Sequence, residues 1–391
     1  MRRQLWTVAS VAALTGMLLA GCASNSTGAG ASTVKVAVVY SRTGLLAAYG
    51  KNYVDGFAAG LDYATHGTGT AGGHRIDVTY ADDAGDPAVA TATAKQYIGD
   101  GYRILAGTVD SGIAAQLAPL AAQNRVLYIS GPAAADRITG INRYVFRSGR
   151  QTYQDVATAG TYIGDPAGKR VLVLAQDSTF GQGNAAAVKA ILGGKGAHVS
   201  QLLVPLTATD FTPFALQAAQ AKADLVFVAW AGATTLPMWR ALDQQKVLSS
   251  TAVVTGLGNA GSFAAYGPAA GRINFLSYYF PQATSNSANA AMISAIEKAG
   301  SSADLFSPDG FVAAQMIVHA VEQAGGDNVD GMIKALDGWT FDAPKGPETI
   351  RARDHAMLQP MFQAKLVQQG TTWEPELVKT IPPDATAPAA T

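Results

Sequence analysis

The sequence predicts an α/β protein made of two doubly wound parallel-sheet lobes. Short aliphatic and β-branched runs alternate with Ala-rich helical stretches, as expected for strands buried on both faces of a parallel sheet. This alternation occurs twice before the chain becomes polar near Gln282. About 350 residues lie between the two chain ends, which is too many for a single core and suits two lobes.

The first series of elements begins with a strand at 34–39 and a helix at 51–65, whose apolar residues recur at helical spacing. Further strands and helices of this series are predicted at 76–80, 87–99, 104–106, 113–123, 126–129 and 144–148.

The second series repeats the pattern and then gives way to a return segment. Its elements are predicted as helix 152–164, strand 171–175, helix 183–194, strand 199–204, helix 212–221, strand 225–229, helix 234–245 and strands 251–255 and 273–279. After the polar segment 282–289, helices are expected near 288–299 and 309–325, with late strands at 339–341 and 361–367.

The amino-terminal residues predict export and lipid attachment. Two arginines precede a short apolar run at 5–20, the layout of a secretory signal peptide and too short for a membrane span. The run ends in LAGC, which resembles a bacterial lipobox, so residues 1–21 are expected to be removed and Cys22 to be lipidated. Residues 22–33 would form a flexible tether. The alternative is an ordinary signal peptide with an incidental cysteine.

Several kinds of site are disfavoured. Cys22 is the only cysteine, so the chain has no pair for a disulfide and no cysteine metal site. The 28 basic residues are balanced by 28 acidic ones, and no basic stripe indicates nucleic acid. The five histidines lack metal-ligand spacing. The segment 256–261 satisfies G-x-G-x-x-G, but 272–294 contains no acidic residue for a ribose. Neither a metal, a cofactor nor catalysis is predicted.

A family resemblance covers the chain from about residue 34 to about residue 370. It rests on VKVAVVYSRTGLLAAYG from Val34, followed in order by YADDAGDP, ISGPA, FGQG and DLVFVA. Their order and spacing resemble the Leu/Ile/Val-binding protein family, the type I periplasmic binding proteins of ABC importers. The resemblance implies three hinge crossings, with 34–149 and 281–345 in one lobe and 150–280 and 346–380 in the other. Residues 381–391 (IPPDATAPAAT) are expected to form a disordered tail.

The cleft of such a fold lies beyond the carboxyl ends of the strands, so the loops there hold the candidate binding residues. The resemblance places Tyr49 beside the ligand; the alternative is that its ring packs on the surface of its own lobe. In loop 107–112, free amides at a helix start favour an anion, and Ser111 is placed to donate its hydroxyl. Alternatively, Ser111 only caps the following helix. Asp110 departs from the family pattern and would either repel a carboxylate or hold an ammonium.

The third loop of the first lobe contains Ala133 and Ala135, which are expected to contact the ligand through backbone alone. The family often has Ser or Thr at this place, so a hydroxyl contact is missing here.

The second lobe and the return segment are expected to supply the apolar part of the site. The resemblance places Phe180 and, less directly, Phe306 near the ligand. Trp230 directly follows a buried strand, so its ring should project into the cleft, unless helix 234–245 covers it. Leu257 stands where amino-acid binders of the family tend to have an acidic residue. A desolvated, unpaired ammonium would be costly, so an α-amino acid would need Asp110 or Asp309 as its partner.

These observations predict an extracytoplasmic substrate-binding lipoprotein of an ABC importer, in which hinged closure traps a small amphipathic carboxylate. Its expected partners are that ligand, ABC permease subunits and the membrane through Cys22; no nucleic acid is expected, and the protein should be a monomer. A branched-chain or other hydrophobic amino acid ranks ahead of aromatic or short-chain carboxylates. The alternatives are a ligand-sensing clamp for a receptor or regulator and an exported α/β enzyme.

Overall fold

The computed structural model describes residues 32–390. The signal peptide, Cys22 and most of the tether predicted from the sequence lie outside these residues. Within them, no helix is both long and apolar enough to cross a membrane.

The first sheet has six strands in the order β2-β3-β1-β4-β5-β6, all parallel except β2. Residues 36–39 of its central strand are fully buried and apolar, as a strand covered on both faces requires. Its elements in chain order are β1 (Thr33–Tyr40), α1 (Ala47–Ala64), β2 (Thr70–Ala71), β3 (His74–Asp82), α2 (Pro87–Gly99), β4 (Ile104–Ala106), α3 (Ser111–Asn124), β5 (Leu127–Ser130) and β6 (Val145–Arg147).

The second sheet has seven strands in the order β16-β15-β11-β10-β9-β7-β8, and its β7 to β11 are parallel. The elements up to its fifth strand are α4 (Thr152–Ile163), β7 (Arg170–Gln176), α5 (Thr179–Ile191), β8 (His198–Val204), α6 (Thr212–Gln220), β9 (Leu225–Ala229), α7 (Thr235–Gln244), α8 (Val247–Ser250), β10 (Ala252–Gly256), α9 (Phe263–Tyr266) and β11 (Ile273–Ser277).

The rest of the chain contributes elements to both lobes. Its elements are α10 (Ser287–Lys298), α11 (Ser307–Ala324), α12 (Val329–Leu336), β12 (Thr340–Ala343), β13 (Gly346–Ile350), β14 (Met357–Leu358), β15 (Met361–Gln369) and β16 (Thr372–Ile381). Helix α11 packs so closely on α1 that a Cβ on Gly56 would lie 1.9 Å from the carbonyl oxygen of Ser307. Strands β15 and β16 instead extend the second sheet as an antiparallel hairpin.

The predicted fold class is confirmed: two α/β lobes are joined where the chain passes between the sheets at 148–151, 278–286 and 359–360. The third passage differs from the expected position near 345. Strands β12, β13 and β14 form a small antiparallel sheet, and β12 contacts α10 and α11. Residues 346–358 therefore lie with the first lobe.

The carboxyl-terminal residues also differ from the expected disordered tail. Residues Pro383–Thr386 form a 3-10 turn, in which Thr386 is fully buried. Arg351 donates a hydrogen bond of 2.8 Å to the carbonyl oxygen of Pro388. Arg351 also donates to the carbonyl oxygen of Ala389 at 3.4 Å, so the segment is bound to the rest of the protein as far as Ala389.

Candidate functional site

A cavity of about 450 Å³ lies at the carboxyl ends of the parallel strands, with walls from both lobes and from the first two hinge passages. The loops after β1, β4 and β5 form one wall, and those after β7, β9 and β10 form the other. Of the binding residues predicted from the sequence, the cavity is lined by Tyr49, Asp110, Ser111, Phe180, Trp230, Leu257 and Phe306. The structure does not place Ala133 or Ala135 on its surface.

The start of α3 does not offer all the free amides expected there. Asp110 is the N-cap residue, and its Oδ1 accepts hydrogen bonds from the amides of Gly112 at 2.7 Å and Ile113 at 2.9 Å. A carboxylate of the protein thus already occupies the position where a ligand anion was expected. Ser111 is the first helical residue, so the alternative in which Ser111 acts as the cap is wrong.

Ser111 connects two loops of the first lobe. Its Oγ accepts hydrogen bonds from the amides of Ala134 at 3.1 Å and Ala135 at 3.2 Å. These hydrogen bonds turn the Ala135 amide towards Ser111, while Ala133 is fully buried and Pro132 and Ala134 line the cavity instead. Because the Ser111 hydroxyl accepts twice, its own proton remains able to be donated into the cavity.

Aromatic rings form much of the remaining wall. Tyr49 meets Phe306 edge to face at 5.1 Å between ring centroids, and Phe306 stacks on Tyr278 at 5.9 Å. Trp230 lines the cavity from the second lobe, while its Nε1 donates to Thr234 at 3.0 Å just before α7. The site therefore combines wide apolar surfaces with a few polar groups, as small-molecule sites generally do.

Carboxylates that could pair with an ammonium are scarce. Leu257 lines the cavity where an acidic residue was considered, and it is only 1% exposed. Asp309 does not line the cavity and instead pairs with buried Lys345 at 3.0 Å, which contradicts its suggested role as a substitute. Among the described residues that line the cavity, Asp110 and Asp155 are the two carboxylates.

Arg150, a cation in the first hinge passage, also lines the cavity and was not predicted from the sequence. The residue is 3% exposed. Its Nε donates a hydrogen bond to Asp155 at 3.3 Å, and its Nη1 donates one to the carbonyl oxygen of Pro132. Its guanidinium carbon lies 3.7 Å from the ring centroid of Tyr278. The signal that could have identified it is its position at the predicted lobe boundary, which lies between residues 149 and 150.

Burial and the charge of the partner shift the pKa of each member of this pair in opposite directions. Burial alone would lower the pKa of Arg150, but the neighbouring charge of Asp155 raises it above its ordinary value, so the arginine is charged. Burial raises the pKa of Asp155 to about 7, and the charge of Arg150 opposes that rise.

The two lobes touch at several points around the cavity. The amide of Ala233 donates to the carbonyl oxygen of Leu45 at 3.1 Å, and the amide of Gly232 donates to the Tyr49 hydroxyl at 3.4 Å. Elsewhere on the rim, the amide of Ala260 donates to the carboxylate of Asp304 at 3.1 and 3.2 Å. The Gly-rich turn after β10 thus serves as part of the lobe contact. The described conformation is a closed one.

Comparisons with known proteins match this architecture. A sequence profile described as periplasmic binding protein matches residues 33–371. The leucine-, isoleucine-, valine-, threonine- and alanine-binding protein of Pseudomonas aeruginosa is 29% identical over 337 residues, covering 84% of this chain and 88% of that protein. An ABC-type branched-chain amino acid transporter structure from Rhodopseudomonas palustris is 34% identical with a TM-score of 0.76, covering 90% of this chain and 97% of that chain.

A second structure from R. palustris, an ABC transporter solute-binding protein in complex with 4-hydroxybenzoate, has a TM-score of 0.82 at 23% identity. The match covers 90% of this chain and 97% of that chain. At that identity the likeness shows the fold alone.

Proposed function

The chain belongs to the periplasmic binding protein family, of the Leu/Ile/Val-binding type, and on that premise we propose that it captures a small amphipathic carboxylate for an ABC importer. The observation that carries this proposal is the cavity itself. It is lined by polar groups, among them Ser111 and Arg150, and by aromatic rings that come from both lobes.

The mechanism follows from where the walls are anchored. A ligand that touches Ser111 in the first lobe and Trp230 in the second makes its full set of contacts only when the lobes are closed. Binding therefore shifts the population towards the closed form. ABC permease subunits would recognise the surface of the closed form. Binding therefore acts by changing the conformation of the protein, and no bond in the ligand is broken.

Two ligand classes fit this proposal. The name of the Pseudomonas relative supports a branched-chain or other small amino acid. The rings of Tyr49, Phe180 and Trp230 would equally flank the body of an aromatic carboxylate, for which 4-hydroxybenzoate is a suitable probe.

The amino-terminal segment extends the proposal to location. We propose that Cys22 is lipidated after removal of residues 1–21 and that the residues between Cys22 and β1 tether the protein to the outer face of the cell membrane. Mass spectrometry of the membrane fraction tests this, since an unmodified Cys22 would contradict the anchor.

Isothermal titration of the protein lacking residues 1–22 with leucine, 4-hydroxybenzoate and butyrate tests the binding function. At least one should bind, and both Ser111→Ala and Trp230→Ala should weaken that binding about tenfold or more. Trp373→Ala is the matched control, because this tryptophan lies on β16 and does not line the cavity. Binding that survives both site variants, or a ligand recovered chemically altered, would contradict the proposal.

A further inference from the structure

The charges that line the cavity restrict the ligand beyond the requirement for a carboxylate. We infer that the ligand is a monocarboxylate with an apolar, preferably aromatic, body and no ammonium group, and that Arg150 holds its carboxylate. This inference rests on the proposed function and adds a substrate class and an anchoring residue to it.

Arg150 is the only cation among the described residues that line the cavity. A guanidinium has five N–H donors, and the hydrogen bonds to Asp155 and the Pro132 carbonyl engage two of them. The ring of Tyr278 backs the guanidinium face, which fixes its plane. Because the group is almost fully shielded from water, a charge-assisted hydrogen bond from it to a carboxylate is stronger than one at the surface.

An ammonium finds no comparable partner. Oδ1 of Asp110 already accepts from two amides of α3, which leaves only Oδ2 of this half-buried carboxylate for a ligand, and Oδ1 of Asp155 already accepts from Arg150. Oδ2 of Asp155 is buried without a hydrogen-bond partner, but the positive charge of Arg150 beside this carboxylate disfavours a second cation there. Leu257 contributes only aliphatic surface. An ammonium has three N–H donors to satisfy, so leaving water for this cavity would be costly.

The shape of the walls favours a flat body. Phe306 and Tyr278 lie with their ring planes 10° apart, and Tyr49 stands at 84° to Phe306. One face of Tyr278 is covered by the guanidinium of Arg150, so an aromatic ligand would contact the remaining faces and edges of these rings. Phe180 and Trp230 border the cavity from the second lobe.

Matched ligand pairs test the inference on the unaltered protein. Calorimetry compares phenylalanine with 3-phenylpropanoate and leucine with 4-methylpentanoate, since each pair differs by one ammonium; benzamide serves as the neutral partner of benzoate. The compounds without ammonium should bind at least about tenfold more tightly than their amino-acid partners, and benzoate more tightly than benzamide. Tighter binding of phenylalanine or leucine would overturn the inference while leaving the proposed function intact. If no carboxylate binds the folded protein, the proposed function itself fails.

Two variants assign the charges. Asp110→Asn keeps an N-cap residue of similar quality but removes the negative charge, so carboxylate binding should persist or tighten. Loss of binding in this variant would instead indicate an ammonium held by Asp110. Arg150→Lys keeps the positive charge but loses the planar array of guanidinium N–H donors. The carboxylate that binds most tightly should therefore bind this variant at least about tenfold more weakly. Unchanged binding by a folded Arg150→Lys protein would overturn the role of Arg150; should that variant not fold, the ligand pairs decide.

Discussion

Gly232 lies on the rim of the second lobe, where it meets the first lobe most closely. A Cβ added there would be 2.5 Å from the carbonyl oxygen of Leu45, whereas ordinary contact begins at 3.4 Å. Gly232→Ala therefore forces the lobes apart locally by about 1 Å in the closed form, because backbone atoms on both sides leave little room to adjust.

The cost follows from the hydrogen bonds that break when the lobes separate. The hydrogen bond from Ala233 to Leu45, at 3.1 Å, and that from Gly232 to Tyr49, at 3.4 Å, both span the gap. At about 0.5–1.5 kcal/mol each, their rupture disfavours closure by about 1–3 kcal/mol. Since the apparent dissociation constant scales inversely with the closed, competent fraction, affinity should fall about 5- to 150-fold.

The same substitution also strains the backbone, and this effect must be separated from closure. Gly232 has φ of +82°, where alanine costs about 1–2 kcal/mol in both open and closed forms. Gly164 provides the control, because it has φ of +66° and nothing within 4 Å of an added Cβ. Calorimetric titration with the best binder, together with small-angle scattering, should show weaker binding and a larger radius only for Gly232→Ala. Equal affinities of Gly232→Ala and Gly164→Ala would refute the reasoning.

Three further predictions concern stability, all measured by urea unfolding. Burial raises the pKa of Asp155 and of Glu348 to about 7, from 3.8 and 4.5, so the folded state holds more protons than the unfolded state between about pH 4 and 7. The free energy of unfolding should therefore fall as pH rises through that window, and it should fall less steeply in Asp155→Asn. An equally steep pH dependence in Asp155→Asn and the unaltered protein would contradict this prediction. Lys345→Met leaves its two buried carboxylate partners without a cation and should cost about 3–5 kcal/mol, whereas a loss below about 1 kcal/mol would argue against the pairing. Gly310→Ala places a Cβ 1.9 Å from a backbone oxygen of α1 and should cost about 3 kcal/mol, unlike Gly99→Ala, which meets nothing within 4 Å.

Much of the fold was predictable because buried parallel strands and their covering helices leave strong periodic patterns. The predicted helix at 87–99 has the observed bounds, since Asp86 caps it and Pro87 starts it. The carboxyl-terminal third was harder. Strand β16 alternates weakly and is mostly exposed, and β14 has two residues, so neither produces a clear pattern.

The site was predictable where single loops determine it and less so where distant segments meet. Tyr49, Ser111 and Trp230 follow strand ends, so topology alone brings them to one cavity. Arg150 was missed because its role depends on Asp155, which α4 supplies, and on Tyr278, which the second hinge passage supplies. The capping role of Asp110 was likewise hidden, since the neighbouring Ser111 is an equally good candidate for the cap.

A crystal structure with the tightest-binding carboxylate tests the central claim most directly, namely that one cavity grips a small acid with both lobes at once. The carboxylate should lie within about 3.2 Å of a guanidinium nitrogen of Arg150 or of the Ser111 hydroxyl, with the body of the ligand against Trp230. A ligand bound outside the cavity, or one that contacts a single lobe in an open protein, would contradict the account.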